Sequence, residues 1–414
     1  MTQTLGIDFG TSNTAAAVLV GGHAHLIEVE PGRTSLPTSV FFDYERKVTT
    51  YGSVANAALI EGREGRFMRA LKSVLGTPLM REKRQIAYEQ MTLIEVVARF
   101  LRTVRERAEA STGTKFDYAL SGRPVRFHSS DEARNAQAEI DLREAYMVAG
   151  FSDVSFMYEP EAAALAAGPL AKGKLGLIID IGGGTSDFSI FEREGDETRI
   201  VASHGVCVGG TDFDKAISVA QVMPLFGHGS EIKNEIGPGT HTAPNGIFHD
   251  LASWEKIPFL YTAEMRRTAT LFRKLGMQPE LFKRLSDVLE LELGHDIAFA
   301  VEAGKIRVNA PEAVDAAIDL RVIEKQLWAR MSASDLSRIL GDHAMTVKSA
   351  ALDTLRMAGI PQDQIGQIVF VGGSSLMQVI ETAMVDLFPH AILERTEAFT
   401  AVADGLAIAA ARRA

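Results

Sequence analysis

With 414 residues, 46% hydrophobic and 23% charged, the chain has material for two to three compact domains and is not a disordered polymer. A formal net charge of -10 disfavours broad binding to nucleic acid or to an anionic membrane, since both need a cationic surface. The single cysteine, Cys207, excludes an intramolecular disulfide, and its apolar run Val206-Cys207-Val208 makes it read as a small core residue.

Taken in chain order, residues 4–20 read as a β-hairpin, with strand-like runs near 24–29 and 38–42. Thr92 and Glu95 form a capping box, and Leu93, Val96, Val97, Phe100, Leu101 and Val104 behind it keep to one helix face. Phe116 to Leu120 reads as a strand, broken by Arg123-Pro124. A helix from about Asp131 stops at Gly150. After a short strand, Val154 to Met157, Glu159-Pro160 opens an alanine-rich helix that ends at Gly168. Residues 173–207 form a second glycine hairpin and its continuation. Residues 227–246, rich in Gly, Pro, His and Asn, read as a long mobile loop. Residues 251–300 are strongly helical, and 304–323 alternate like strands. A helix runs from about Ser334 to Gly359. The buried-strand run Ile368-Val369-Phe370-Val371 leads through Gly372-Gly373 to a helix from Ser374, and an alanine-rich helix covers 400–413. Strands mixed with helices throughout give an α/β class. The N-terminal residues lack the basic and apolar regions of a secretory signal, and no apolar stretch is long enough to span a membrane. The cytoplasm is therefore the expected compartment.

Two segments carry the chemistry. Leu5-Gly6-Ile7-Asp8-Phe9-Gly10-Thr11-Ser12-Asn13-Thr14 recurs, altered, as Leu177-Ile178-Ile179-Asp180-Ile181-Gly182-Gly183-Gly184-Thr185-Ser186-Asp187. Each is an apolar strand, an aspartate, a glycine turn and a second apolar strand. Glycine turns bring backbone N–H groups close to phosphate because no Cβ intervenes. Carboxylates at strand ends hold magnesium, usually through water. Asp8 and Asp180 fill that place, while Thr11, Ser12 and Thr185 add donors. One such hairpin would read equally as an ordinary Asx-type turn; the repetition argues for a duplicated phosphate cradle. A third site, Val371-Gly372-Gly373-Ser374-Ser375, leads a strand toward a helix N-terminus, which suits phosphate or ribose but is also a common plain connection. The P-loop pattern, the G-x-G-x-x-G fingerprint and zinc-ligand spacing do not occur.

These three glycine segments resemble the phosphate and adenosine motifs of the actin/hexokinase/heat-shock ATPase superfamily. Tyr158-Glu159-Pro160-Glu161-Ala162-Ala163-Ala164-Leu165-Ala166-Ala167-Gly168, Gly209-Gly210-Thr211-Asp212-Phe213-Asp214 and Phe67-Met68-Arg69-Ala70-Leu71-Lys72-Ser73-Val74-Leu75-Gly76 narrow the resemblance to the DnaK-type heat-shock chaperones, closest to the short YegD-like members. It spans nearly the whole chain. It implies a two-lobed, actin-like ATPase domain with duplicated ribonuclease-H-like mixed sheets and a deep central nucleotide cleft. Lobe I would take residues 1–36, 111–172 and 395–414 as its inner subdomain and 37–110 as its outer one. Lobe II would take 173–220 and 308–394, with 221–307 outside.

The same resemblance implies ATP or ADP with Mg2+ as cofactors, with K+ as a further ion. The phosphates would meet Gly10, Thr11, Ser12, Asn13, Gly182, Gly183, Gly184 and Thr185. Gly209, Gly210, Glu302, Lys305, Ile306, Gly372, Gly373, Ser374 and Leu376 would complete the nucleotide site. Asp8 and Asp180 would hold the metal through water. Lys72 would reach the γ-phosphate and attacking water, although a lone lysine otherwise reads as a surface charge. Glu159 would help place the water, or simply start its helix. Asp187, with Thr185, would orient or deprotonate water, bind a monovalent cation, or serve as a turn residue. Pro124 matches the family's hinge proline, with Arg123 in place of an apolar neighbour, and Arg134 matches an arginine that senses this hinge.

Three departures stand out. Ile306 and Leu376 replace arginines that bracket adenine, removing a cation–π contribution of about 0.5–2 kcal/mol each. Glu397-Ala398-Phe399-Thr400 replaces an acidic stretch. The sequence closes on Arg412-Arg413-Ala414 without a Leu-rich linker, which gives the expectation of a nucleotide-dependent chaperone-like switch without its own peptide-binding domain, and of a protein partner at the lobe II outer subdomain. A non-catalytic nucleotide sensor and a small-molecule kinase of the same superfamily are the competing expectations.

Overall fold

The structure is a computed structural model that describes residues 4–128, 131–195, 197–310, 316–394 and 400–413. The stretch Glu397-Ala398-Phe399 lies outside the described residues. The chain divides into two compact units. The first comprises Met1–Cys207, Ser349–Leu376 and Met384–Ala414; the second comprises Val208–Lys348 and Met377–Ala383.

The repeated segment becomes a repeated sheet within the first unit. Thr4–Phe9 and Asn13–Val20 pair antiparallel, and His23–Leu26 pairs antiparallel with Asn13–Val20. On the other side Thr4–Phe9 pairs parallel with Tyr118–Arg123, which pairs parallel with Asp153–Tyr158. The short strand Ser35–Pro37 joins the edge of Asn13–Val20. The second copy repeats the order strand for strand. Leu175–Ile181 and Ser186–Glu194 form the hairpin, Glu197–Val206 extends it, and Ile365–Val371 and Ile392–Glu394 continue it in parallel. The duplication read in the sequence is thus a duplication of topology.

Two alanine-rich helices pack on these sheets. Glu159–Ala166 carries buried Ala162, Ala163 and Ala164, and Ala401–Arg413 carries buried Val402 and Leu406. They share one apolar cluster with Leu120, Ile178, Phe191, Val369 and Val371, taken from both sheets. Small side chains let the helix backbones approach closely. A larger cluster gathers Leu5, Ile7 and Phe9 with Val96, Val97, Phe100 and Leu101 of helix Leu93–Thr112. The Thr92–Glu95 capping box is present at its start, and Asp131 caps Glu132–Ala149 by accepting from Arg134 N–H. Ser39–Asp43 forms a small antiparallel sheet with Val48–Tyr51 and Gly65–Arg69.

The second unit is mainly helical: Gly210–Ile217, Ala263–Leu275, Pro279–Glu290 and Gly294–Asn309. Its core includes Phe213, Phe226, Phe248, Phe282, Leu285 and Ile297. Among the described residues no helix is long and apolar enough to cross a membrane.

Several boundaries differ from expectation. The strand expected at Phe116 runs from Tyr118 to Arg123. Residues 227–246 are not a bare loop, because Glu231–Lys233 and Thr240–Thr242 pair as a hairpin. The strand reading at 304–309 is wrong. Helix Gly294–Asn309 continues there, and among the described residues of 304–323 only Ala316–Asp319 is a strand. Gly373–Leu376 is a 3-10 turn, and the helix expected from Ser374 starts at Gln378. Cys207 is exposed, not a core residue, because the strand has ended at Val206 and releases it to the surface.

Candidate functional site

The site in the first unit is built where the two glycine hairpins end. The backbone of Gly183 comes so close to Ser12 that an added Cβ would lie 2.7 Å from Ser12 Oγ. The second turn is closed locally, with Gly182 N–H donating to Thr185 O at 2.9 Å, and the first is tied to a distant segment, with Thr38 N–H donating to Ser12 O at 2.8 Å. The third glycine turn meets the second hairpin. Gly372 has φ +77, and a Cβ there would fall 2.5 Å from Ile181 O and 2.8 Å from Asp180 Oδ1. Only glycine fits this left-handed, crowded position.

Lys72 is the centre of the charge pattern. It lies on the 3-10 turn Leu71–Val74, directly after Ala70, which has a left-handed φ of 56°. A non-glycine residue in that region stores strain, a condition common at functional sites. Lys72 is only 8% exposed, and its Nζ donates to Glu159 Oε1 at 2.5 Å. Glu159 begins helix Glu159–Ala166 behind the extended residue Tyr158, with Pro160 pre-set for the first turn. Gly122 makes room for it, since a Cβ there would lie 3.1 Å from Glu159 Cγ.

Around this ion pair the carboxylates are held away from their ordinary behaviour. Asp8 is pushed up to about 7, by desolvation first and then by the charge of Glu159, with Lys72 pulling the other way. Asp180 is raised well above the usual carboxylate range by burial and by its acidic neighbours Glu159, Asp187 and Asp8. It sits opposite Asp187 across the hairpin. Asp187 keeps a solvent-facing edge, yet the surrounding protein and then Glu159 raise it to about 6, while a hydrogen bond with Thr185 opposes the shift. Desolvation would lower Lys72, but Glu159, Asp8 and Asp180 outweigh it and leave its ammonium above the ordinary value.

Four carboxylates thus lie around one ammonium, and the three aspartates are raised by burial first and by their acidic neighbours second. That donor set fits a hydrated divalent cation. Among the described residues no group of three or more His, Cys, Asp or Glu is arranged to hold a metal ion.

Lys72, Glu159, Asp8, Asp180, Asp187, Thr185 and the turns at Gly10–Asn13, Gly182–Gly184 and Gly372 therefore come together in one unit. Gly373, Ser374 and the half-buried Leu376 follow on the 3-10 turn, whose Ser375 hydroxyl donates to Gly372 O at 2.6 Å. The remaining expected residues lie in the second unit. Gly209 caps helix Gly210–Ile217, and its N–H donates to Asp212 Oδ2 at 2.9 Å. Lys305 is buried, with Nζ 2.8 Å from Asp214 Oδ1; Glu302 is half-buried and Ile306 is 63% exposed. Arg134 is exposed at the start of its helix. The sequence reading missed the supports of Lys72. Asp141, fully buried, accepts from Gly76 N–H at 2.9 Å, and His128 Nε2 donates to Leu75 O at 2.7 Å. No local pattern marks either residue.

Comparison with known proteins places the chain in a family. The family described as Hsp70 protein matches residues 4–234. The chaperone protein DnaK of Nitrosopumilus maritimus (strain SCM1) is 25% identical over 419 residues, which covers 99% of this chain and 56% of that protein. The DnaK of Endomicrobium trichonymphae is 32% identical over 225 residues, 52% of this chain and 34% of that protein. The DnaK of Methanothermobacter thermautotrophicus is 34% identical over 223 residues, 52% and 35%. The chain spans little more than half the length of the relative that it matches end to end.

Proposed function

This chain belongs to the Hsp70 family and has its actin-like ATPase fold, and from that premise we propose that it binds ATP and ADP with magnesium and hydrolyses ATP slowly as a nucleotide-dependent switch. The observation that carries this reading is the Lys72–Glu159 ion pair, 2.5 Å long, set among Asp8, Asp180 and Asp187 at the glycine turns. Phosphoryl transfer to water needs positioning and charge stabilisation more than covalent chemistry. The N–H groups of Gly10–Asn13 and Gly182–Thr185 hold the phosphates. Lys72 offsets charge as it develops on the γ-phosphate. Glu159 aims the ammonium and helps to place the water, and Asp187, with Thr185, orients or deprotonates it. Asp8 and Asp180 would hold a magnesium ion through water, and that ion would supply countercharge to the phosphates. K+ beside Asp187 is part of the same proposal, as is the two-lobed subdivision with its inner and outer subdomains.

Calorimetric titration with ATP, ADP, GTP and AMP, with and without magnesium, tests the reading. ATP and ADP should bind at least about ten-fold more tightly with magnesium than without, a difference of about 1.4 kcal/mol. AMP should bind weakly in both conditions. AMP binding as tightly as ATP would defeat the phosphate-clamp argument. Binding without phosphate release would assign the chain to the non-catalytic sensors, and phosphate transfer to an added small acceptor would assign it to the kinases.

The protein partner belongs, in this proposal, to the second unit, on residues 221–307. The hairpin there leaves Ile236 93% exposed, and Phe259 and Leu291 are 77% and 65% exposed. Crosslinking in the ATP and ADP states should give partner adducts at these positions whose yield changes with nucleotide. Adducts confined to the first unit would overturn the assignment.

A further inference from the structure

We propose that helix Glu132–Ala149 is a yoke that fixes both members of the Lys72–Glu159 pair, with Arg123, Glu139 and Asp141 as positioning residues. The inference rests on the reading that this pair is the working centre, and extends it to how the pair is aimed.

The Lys72 side is held by Asp141. Asp141 Oδ2 accepts from Gly76 N–H at 2.9 Å, and Oδ1 accepts from Arg81 Nη2 at 2.9 Å and from Gln137 Nε2 at 2.8 Å. Gly76 has φ +78, and a Cβ there would lie 2.3 Å from Arg134 O, so the segment after Lys72 rests directly on the helix backbone. His128, which donates to Leu75 O, is itself gripped by Asn135 of the same helix through bonds of 2.9 and 2.8 Å. Lys72 is therefore anchored within a few residues on its C-terminal side.

The Glu159 side is held by Glu139. Its carboxylate accepts from Arg123 Nη1. The Arg123 guanidinium stacks between Tyr158 and Phe127, 5.1 and 5.4 Å from their ring centres, and its Nε donates to Pro124 O at 3.2 Å. Tyr158 lies opposite Arg123 in the sheet register and immediately precedes Glu159. Arg143 of the helix donates to Val154 O at 2.5 Å on the same strand. Tyr146 donates from the helix to Ser121 Oγ at 2.9 Å.

Residues two apart on a helix do not share a face. Glu139 and Asp141 can thus reach two segments that are far apart in sequence, one bearing Lys72 and the other bearing Glu159. A planar guanidinium can stack and hydrogen-bond at once, which an apolar side chain at position 123 could not do.

The test uses the nucleotide-free chain. Amine acylation is followed residue by residue by mass spectrometry, with the exposed Lys115 as internal reference. In the wild type Lys72 should react slowly. Arg123→Met, Glu139→Gln and Asp141→Asn should each raise Lys72 labelling by about five-fold, as easier local opening implies, and leave Lys115 unchanged. Glu139 is partly exposed, so Glu139→Gln is the variant that stays folded if the others do not. Unchanged Lys72 labelling in folded variants, or a rise at every lysine, would overturn the proposal. Phosphate release, measured in parallel, decides the ATPase reading separately. A wild type that binds no nucleotide but shows the selective Lys72 response would keep the yoke and reject that reading.

Discussion

Lys72→Ala is expected to lower single-turnover ATP hydrolysis about 100-fold or more while changing ATP affinity by less than about five-fold. The ammonium is almost buried and faces Glu159, so it is desolvated before substrate arrives and needs little reorganisation. Its charge meets the γ-phosphate most strongly as negative charge moves during transfer, and such an interaction lowers the barrier without adding much to ground-state binding. Rapid-mix hydrolysis and equilibrium titration on the same preparation separate the two effects. Equal losses would make Lys72 a ground-state binding residue, and no loss would leave the pair a structural ion bridge. The substitution also leaves Glu159 beside Asp8, Asp180 and Asp187 with no countercharge. Unfolding curves of the nucleotide-free variant should therefore shift toward lower stability, and rates must be referred to folded protein.

The sheets and the phosphate turns were legible because the chemistry is written into adjacent residues. An aspartate, glycines and a threonine between apolar strands dictate a turn wherever they occur. Repetition of the pattern announced the repeated topology, and the caps at Thr92 and Asp131 fixed helix starts for the same local reason. Lys72 was different. In the sequence it is one lysine between Leu71 and Ser73, and only the resemblance singled it out; its ion-pair partner Glu159 is 87 residues away. Asp141, His128 and the stacking of Arg123 were not legible at all, because each depends on a contact between distant segments. The missed helix end at 304–309 had a usable signal. Val301, Gly304, Lys305 and Val308 are the buried positions, a spacing of three and four that belongs to a helix, although the shorter run Ile306-Arg307-Val308 alternates. The hairpin inside 227–246 was hidden by its glycines and prolines, which mark turns without revealing the three-residue strands between them.

The largest stability effect is expected at Gly405, where two helix backbones meet. Alanine normally stabilises a helix interior relative to glycine by about 0.8–1.0 kcal/mol. Gly341, inside helix Ala333–Ala358, has open space where a Cβ would go, so Gly341→Ala should follow that rule and raise stability. Gly405→Ala should do the opposite. Its Cβ would fall 1.8 Å from Ala162 O and 2.4 Å from Ala162 C, and neither is a side chain that can turn away. Helix Ala401–Arg413 would have to move off helix Glu159–Ala166 and open the apolar cluster between the sheets. Overpacking of this kind costs about 1–3 kcal/mol or more, enough to outweigh the propensity gain. Because the helix it presses against begins with Glu159, the same change should weaken nucleotide binding as well as folding. Denaturant titration of both variants, with nucleotide affinity measured on each, checks the contrast. A Gly405→Ala protein as stable as the wild type would show that the two helices can separate freely. Lower stability with unchanged affinity would show that Glu159 is held by its pairing with Lys72 rather than by its helix.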